Sequence, residues 1–405
     1  MTQAPAPSNW LTLVVTLFIQ AMVAMALLTL PVMAPVVSKA LVVSPALVGL
    51  YVSVTYIGAI FSSLMSGSAV SRWGAIRVSQ IGLLMCGSGL VLCAIPWLPA
   101  VALGALFIGL GYGPITPASS HLLARTTPPR QMSLVFSIKQ TGVPLGAMLA
   151  GAIVPQLVLR IDWQWSMVSV AVVCALFAGI SQRLRSSLDD DRKPGQLLNG
   201  ASLIRPIRLV MGHRLLMSMA ACSFVFSMVQ MSLTTYLVTF LHETLSYGLV
   251  TAGLALALTQ MGGVVGRIAW GFVSDRWLGA LRVLLLLAAV MALCALATAY
   301  VPPDVPTWIV VSILTVFGAS AIGWNGVYLS EVARQAPDGL ASVATGGTLA
   351  FTFFGVVLGP MLFGVISNTP GGYSLAFIGL AFLASLAASL LLFIFRGRQA
   401  AGWSE

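Results

Sequence analysis

Two cations interrupt apolar stretches of this sequence: Lys139 within residues 133–159 and Arg267 within 248–273. A charge at the centre of a bilayer costs about 2.5 to 3.5 kcal/mol on insertion scales, so such a residue marks a place where something is bound or moved. Arg267 stands eight residues before Asp275. At about 1.5 Å per residue that puts it roughly 12 Å into a hydrocarbon core about 30 Å thick. Lys139 starts from the same side and should reach a similar depth. No Asp or Glu lies there to neutralise either cation, because Asp275 is in a turn and Glu331 is at the end of its stretch. The missing counter-charge is then a bound anion. A guanidinium presents two parallel N–H donors to a carboxylate, and an ion pair at about 4 Å in an effective dielectric near 20 is worth roughly 4 kcal/mol before desolvation. Each cation also has a bland reading: Arg267 bonded to backbone carbonyls, and Lys139 snorkelling towards the nearer surface.

Other polar tips in apolar runs extend the candidate substrate site. Gln260, Gly263 and Arg267 recur at helical spacing and share a face. Gln20, Tyr56, Gln140, Gln230, Tyr236, Trp324 and Asn325 complete the set of lining candidates. His121, four residues before Arg125, and Glu331 are assigned to ion pairing near the membrane surface. The five cysteines lie in apolar runs without CxxC or Cys/His spacing, which leaves no metal site, and no GxxxxGK[ST] run offers an ATP site. No cofactor is expected.

The elements that must position these residues follow from composition. Of 405 residues, 59% are hydrophobic and 7% charged, against about 25% charged in soluble domains. Cutting at charged and Pro-rich breaks leaves twelve stretches long enough to cross a bilayer, so the fold class is an all-α polytopic membrane protein. The first nine residues carry no Lys or Arg and no cleavage site follows, so the first stretch is expected to stay in the membrane. With both termini in the cytoplasm, sixteen of the twenty Lys and Arg lie on the cytoplasmic side and only Lys39 and Arg160 outside. The net charge of +10 therefore reads as topology and not as nucleic-acid binding. The expected organisation is a six-helix bundle over 1–181, a cytoplasmic linker over 182–214, and a second bundle with a short tail over 215–405. The run Asp189-Asp190-Asp191 reads as a solvated part of that linker, its carboxylates fanning out in all directions.

The two halves repeat each other after their second stretch. Gly67, Ser71, Arg72, Trp73, Gly74 and Arg77 correspond to Gly271, Asp275, Arg276, Trp277, Gly279 and Arg282, with Leu278 inserted. Ala124-Arg125 with Pro128 corresponds to Ala333-Arg334 with Pro337, and Gly142, Pro144, Gly146 and Gly151 are echoed by Gly355, Gly359, Pro360 and Gly364. This GxxxDRxG-like turn resembles the signature of the major facilitator superfamily. The resemblance implies two six-helix bundles rocking about a central site, with Lys139 and Arg267 beside a shared cavity. It also implies a cytoplasmic gate of Gly67, Arg72, Gly74, Asp275, Arg276, Arg125, Glu331 and Arg334. Ser71 replaces the usual Asp, so the first latch is expected to be the weaker. The stretch Gly266-Arg267 through Trp270-Gly271 to Asp275 resembles the arginine-bearing helix of monocarboxylate transporters and the oxalate/formate exchanger, where the arginine binds the substrate carboxylate. The expected function is a secondary transporter of a small organic anion, a carboxylate, in a bacterial inner membrane. The protein is expected to be a monomer coupled to protons through uptake of a proton at Lys139. The rival is a proton-coupled drug exporter, suggested by the Gly-Pro pattern but lacking a carboxylate at mid-membrane.

Overall fold

In a bilayer every backbone N–H and C=O must be paired within the chain, which leaves an apolar sequence of this length the choice of helices or a closed barrel. The computed structural model describes residues 9–126, 135, 138–193, 195, 204–336 and 341–400, and these are helical. The α-helices of the described residues include α1 (Asn9–Val32), α2 (Ala34–Leu41), α3 (Val48–Trp73), α4 (Ala75–Cys93), α5 (Leu98–Tyr112), α6 (Ile115–Thr126), α7 (Gly142–Leu188), α8 (Ile204–Gly212), α9 (Arg214–Glu243), α10 (Leu249–Val273), α11 (Ala280–Ala299), α12 (Thr307–Ala321), α13 (Asn325–Gln335), α14 (Ala341–Ser367) and α15 (Gly372–Ala400).

Eleven stretches of the described residues are long and apolar enough to cross a membrane. One of them, Ile138–Leu188, has 51 residues and breaks at Ile161 and Asp162, where φ reaches 70°. It supplies two crossings, making twelve. Within 182–214, α7 continues to Leu188 and α8 occupies Ile204–Gly212.

The two repeated turns are built alike. Gly74 and Gly279 each cap the following helix at positive φ, 92° and 77°, a conformation that glycine adopts without the steric cost a Cβ brings. The inserted Leu278 is absorbed by a single π-turn over Ser274–Leu278, closed by Gly279 N–H donating to the Ser274 carbonyl at 3.0 Å. In the first copy Gly74 N–H closes an ordinary α-turn on Val70 at 2.8 Å. One residue more is what a π-turn accommodates.

The chain divides into two compact units, Met1–Pro45 with Val54–Ala201, and Ala46–Ser53 with Ser202–Glu405. In the first, α1 packs along α7, and α4 along α5 and α7. In the second, α9 packs along α14, α10 along α12, and α11 along α15. The Gly-Pro repeats serve these contacts: a Cβ on Gly142 or Gly146 would run into α1 backbone, and one on Gly355 or Gly359 into α9. Small residues at such crossings let helix backbones approach closely.

Ala46–Ser53, the entry to α3, belongs to the second unit. Ser53 Oγ donates to the Val357 carbonyl at 2.6 Å. The Tyr236 hydroxyl reaches the carbonyls of Ala46 and Pro360 at 2.6 and 3.0 Å. Pro360 removes a backbone donor inside α14, which frees a carbonyl in that turn, and Tyr236 lies over Phe363 with ring centroids 4.7 Å apart. Its hydroxyl is thus occupied by main chain. Tyr236→Phe is expected to lower stability by about 1 kcal/mol while leaving substrate KM unchanged. Paired thermal-unfolding and uptake measurements check this, and a raised KM with unchanged stability would return Tyr236 to the substrate site.

Candidate functional site

In the first unit Gln20 and Lys139 lie where α1, α6 and the entry to α7 meet, and Tyr56 lies on α3. Ile138 packs against Leu13, Leu123 and Val135, which wedges this segment between α1 and α6. The next residue, Lys139, is 1% exposed, and its Nζ has no hydrogen-bond partner among the described residues. Burying an ammonium without a partner is costly enough that proteins avoid it unless the site is used. Gln20, on α1, is fully buried. Its Oε1 accepts from Thr116 Oγ1 at 3.0 Å, and its Nε2 is also without a partner. Tyr56 meets Tyr112 edge to face, centroids 5.9 Å apart. Gln140 is only half-buried beside them in sequence.

In the second unit Arg267 is half-buried, and its Nε donates to the Ile322 carbonyl at 3.1 Å. Ile322 lies in the break between α12 and α13, where helical pairing lapses and carbonyls are left over. One turn on, Trp270 Nε1 donates to the Ala319 carbonyl in the last turn of α12, at 2.9 Å. Through Nε, Arg267 ties α10 to the interrupted helix. Trp324 is buried in that break and donates to Gln230 Oε1 on α9 at 3.0 Å. Gln260 is buried with its amide on Thr234 Oγ1 at 3.2 Å. Asn325 opens α13 half-exposed. Gln230 and Gln260 thus bind neighbouring helices through at least one end.

Residues 13–349 match the sequence profile of the Major Facilitator Superfamily. The chain belongs to this superfamily. The hexuronate transporter of Bacillus subtilis is 23% identical over 385 residues, 88% of each chain. The gentisate transporter of Corynebacterium glutamicum is 25% identical over 365 residues, 86% of this chain and 80% of that one. Among solved structures, a mutant of the nucleoside transporter NupG superposes with a TM-score of 0.79 at 17% identity, over 95% of this chain and 100% of that one. That likeness concerns the fold. The protein is a multi-pass membrane transporter and not an enzyme.

The signature turns of the superfamily member depart from expectation. Asp189 is buried, and its two carboxylate oxygens accept from the backbone N–H groups of Ile76 and Arg77 at 2.8 and 3.0 Å. These are orphan donors at the start of α4, where the helix dipole also favours a negative charge. Ser71 leaves the turn without its acid, and the end of α7 supplies one from 113 residues away. Arg125 binds Asp190 and Asp191 at 2.7 and 2.8 Å and the Leu188 carbonyl at 3.2 Å, and His121 meets Asp191 at 2.6 Å. Lys193 N–H donates to the Ser71 carbonyl at 2.6 Å. Beneath them Leu188 joins an apolar cluster with Val70, Ile76 and Leu122. The Asp run is therefore a latch and not a solvated linker.

The turn with the usual Asp is the looser one: Asp275 and Arg276 are exposed and form no ion pair among the described residues. Glu331 is buried and paired within α13, to Arg334 at 3.6 Å and to Gln335. Arg72 is half-buried at the end of α3, and Gly67 lies within that helix. Pro128 and Pro337 fall outside the described residues.

Burial pushes the Asp189 carboxyl above its ordinary value, against the pull of its two backbone donors. The hydrogen bond from Arg125 draws exposed Asp190 below it. The signs oppose. Asp189 favours the fold most when protonated and loses that contribution as pH rises through its folded value. Asp190 contributes above its unfolded value and loses that as pH falls through its folded one.

Proposed function

We propose that the protein is a secondary active transporter of a small organic anion, with the carboxylate of the substrate neutralising Lys139. The single observation that carries this is the buried Lys139 Nζ with no partner among the described residues. In a low-dielectric site an ammonium attracts an anion far more strongly than it would in water. The names of the two relatives, hexuronate and gentisate transporter, both denote carboxylates and support the same class. They lend nothing to a drug exporter. Arg267 supplies the positive charge of the second unit, oriented by the Ile322 carbonyl. Energy comes from a gradient: a proton arrives at Lys139 with the anion, so that neither charge is buried alone, and transport is proton/anion symport. The excess of Lys and Arg on one side supports cytoplasmic termini, and the bacterial relatives support an inner-membrane location.

The test is ligand-dependent thermal stabilisation of the purified protein. Monocarboxylates, dicarboxylates, inorganic anions and lipophilic cations are compared on wild type and Lys139→Gln. Stabilisation by carboxylates that disappears in the variant is the expected result. Stabilisation by lipophilic cations, equal in both proteins, would reject the anion reading.

A further inference from the structure

An indole N–H can only donate, whereas a primary amide donates at one end and accepts at the other, so the polarity of a contact between the two is fixed by their chemistry. Trp324 Nε1 meets the Gln230 side chain at 3.0 Å. The oxygen end of the amide therefore faces the indole, and the end left for any other partner is the NH2, a donor. The indole has little room to turn. Trp324 is 1% exposed and is held edge to face by Phe226 and Tyr328, with ring centroids 5.5 and 5.2 Å away.

Gln230 lies midway along α9. Every residue of 226–241 is buried except Gln230, which is half-buried. An amide opened to hydrocarbon at that depth would give up its hydrogen bonds with water for nothing in return. The open side of Gln230 thus faces a polar path and not lipid tails. The break after α12 that holds Gln230 also holds Arg267: the Ile322 carbonyl accepts from Arg267 Nε, and two residues on Trp324 donates to Gln230. We propose that the Gln230 NH2 donates to an oxygen of the substrate anion, and that Trp324 is a positioning residue that keeps the amide this way round. This rests on the anion transport proposed above and adds a donor in the second unit and the residue that orients it. Trp324 itself does not touch the substrate. With its NH2 end outward the amide takes an oxygen and turns away an ammonium, because two donors repel. Without the indole the amide rotates and presents its own oxygen part of the time, where two acceptors repel.

The experiment uses the full-length protein in vesicles and as detergent-purified material, with D-glucuronate, gentisate, lactate and succinate as probes. Gln230→Met, which keeps the length and removes the donor, is expected to raise uptake KM about tenfold with little change in maximal rate. Trp324→Phe keeps a ring and removes the indole N–H, and KM is expected to rise about threefold as the competent orientation becomes one of several. The double variant is no worse in KM than Gln230→Met alone, because the indole acts only through the amide. It also has no orphaned indole N–H, so it supplies the same KM if Gln230→Met is too unstable to assay. Its unfolding midpoint falls by less than the sum of the two single losses. An unchanged KM in both proteins that lack Gln230 overturns the donor. An unchanged KM in Trp324→Phe, KM losses that add in the double variant, or a Trp324→Phe protein that does not fold overturns the positioning role. If Lys139→Gln abolishes uptake while Gln230→Met leaves KM unaltered, the anion site stands and this inference falls. If the wild type takes none of the four probes, both fall.

Discussion

Lys139→Gln is expected to make the empty protein more stable and to abolish anion-driven stabilisation and uptake. The two effects have one cause. An amino group buried at 1% exposure with no partner among the described residues must either give up its proton or stand as an uncompensated ion, and both destabilise the empty fold, the effective penalty for a buried ion being several kcal/mol. Glutamine keeps much of the length and removes the charge, so the unfolding midpoint should rise. The same charge is what draws the anion. An ion pair worth about 4 kcal/mol corresponds to roughly a thousandfold in affinity. A variant that is more stable yet does not bind marks a residue kept for function at the expense of stability. Thermal unfolding with and without a carboxylate reads both effects, and a destabilised variant that still binds would contradict the assignment. Lys139→Arg separates binding from coupling, since a guanidinium holds the anion but cannot release its proton. Uptake by that variant should lose its dependence on the proton gradient, and an unchanged dependence would remove Lys139 from the coupling step.

Asp189→Ala is expected to be the most disruptive single change among the three consecutive acids, lowering stability by about 2 to 4 kcal/mol and reducing transport. It deletes two hydrogen bonds to the first turn of α4 and leaves the buried N–H of Ile76 and the part-buried N–H of Arg77 unpaired. An N-cap is worth about 1 kcal/mol, and each unsatisfied buried donor costs about 1 to 3 kcal/mol. Asp190→Ala removes one exposed partner of Arg125. Exposed pairs are worth at most about 1 kcal/mol, and Arg125 keeps Asp191. Comparing the unfolding midpoints of the two variants distinguishes the alternatives, because a solvated acidic run would give equal and small changes at every position. Asp189→Asn should fall between, since an amide supplies one acceptor where the carboxylate supplies two.

The membrane nature of the chain, its division into about twelve crossings and its repeated turns are legible along the sequence. Hydropathy over twenty residues and a motif within eight are local properties, and the bilayer punishes any other reading of them. The expected depth of Lys139 and Arg267 is local in the same sense, being a count of residues from a turn. Even the inserted Leu278 is visible as an insertion, though not as the π-turn that absorbs it. The partners of these residues are decided by the tertiary structure. Ser71 looks like a missing acid until Asp189 arrives from the end of α7 to cap α4. Arg267 looks like a free fork until the break after α12 presents the Ile322 carbonyl. Tyr236 looks like a lining residue until two carbonyls occupy its hydroxyl, and nothing near Thr116 in sequence announces that it binds Gln20. Each of these contacts joins residues 55 or more positions apart. Composition and periodicity govern which residues enter the membrane, whereas a hydrogen bond depends on which helix faces lie within 3 Å of each other, and only packing settles that.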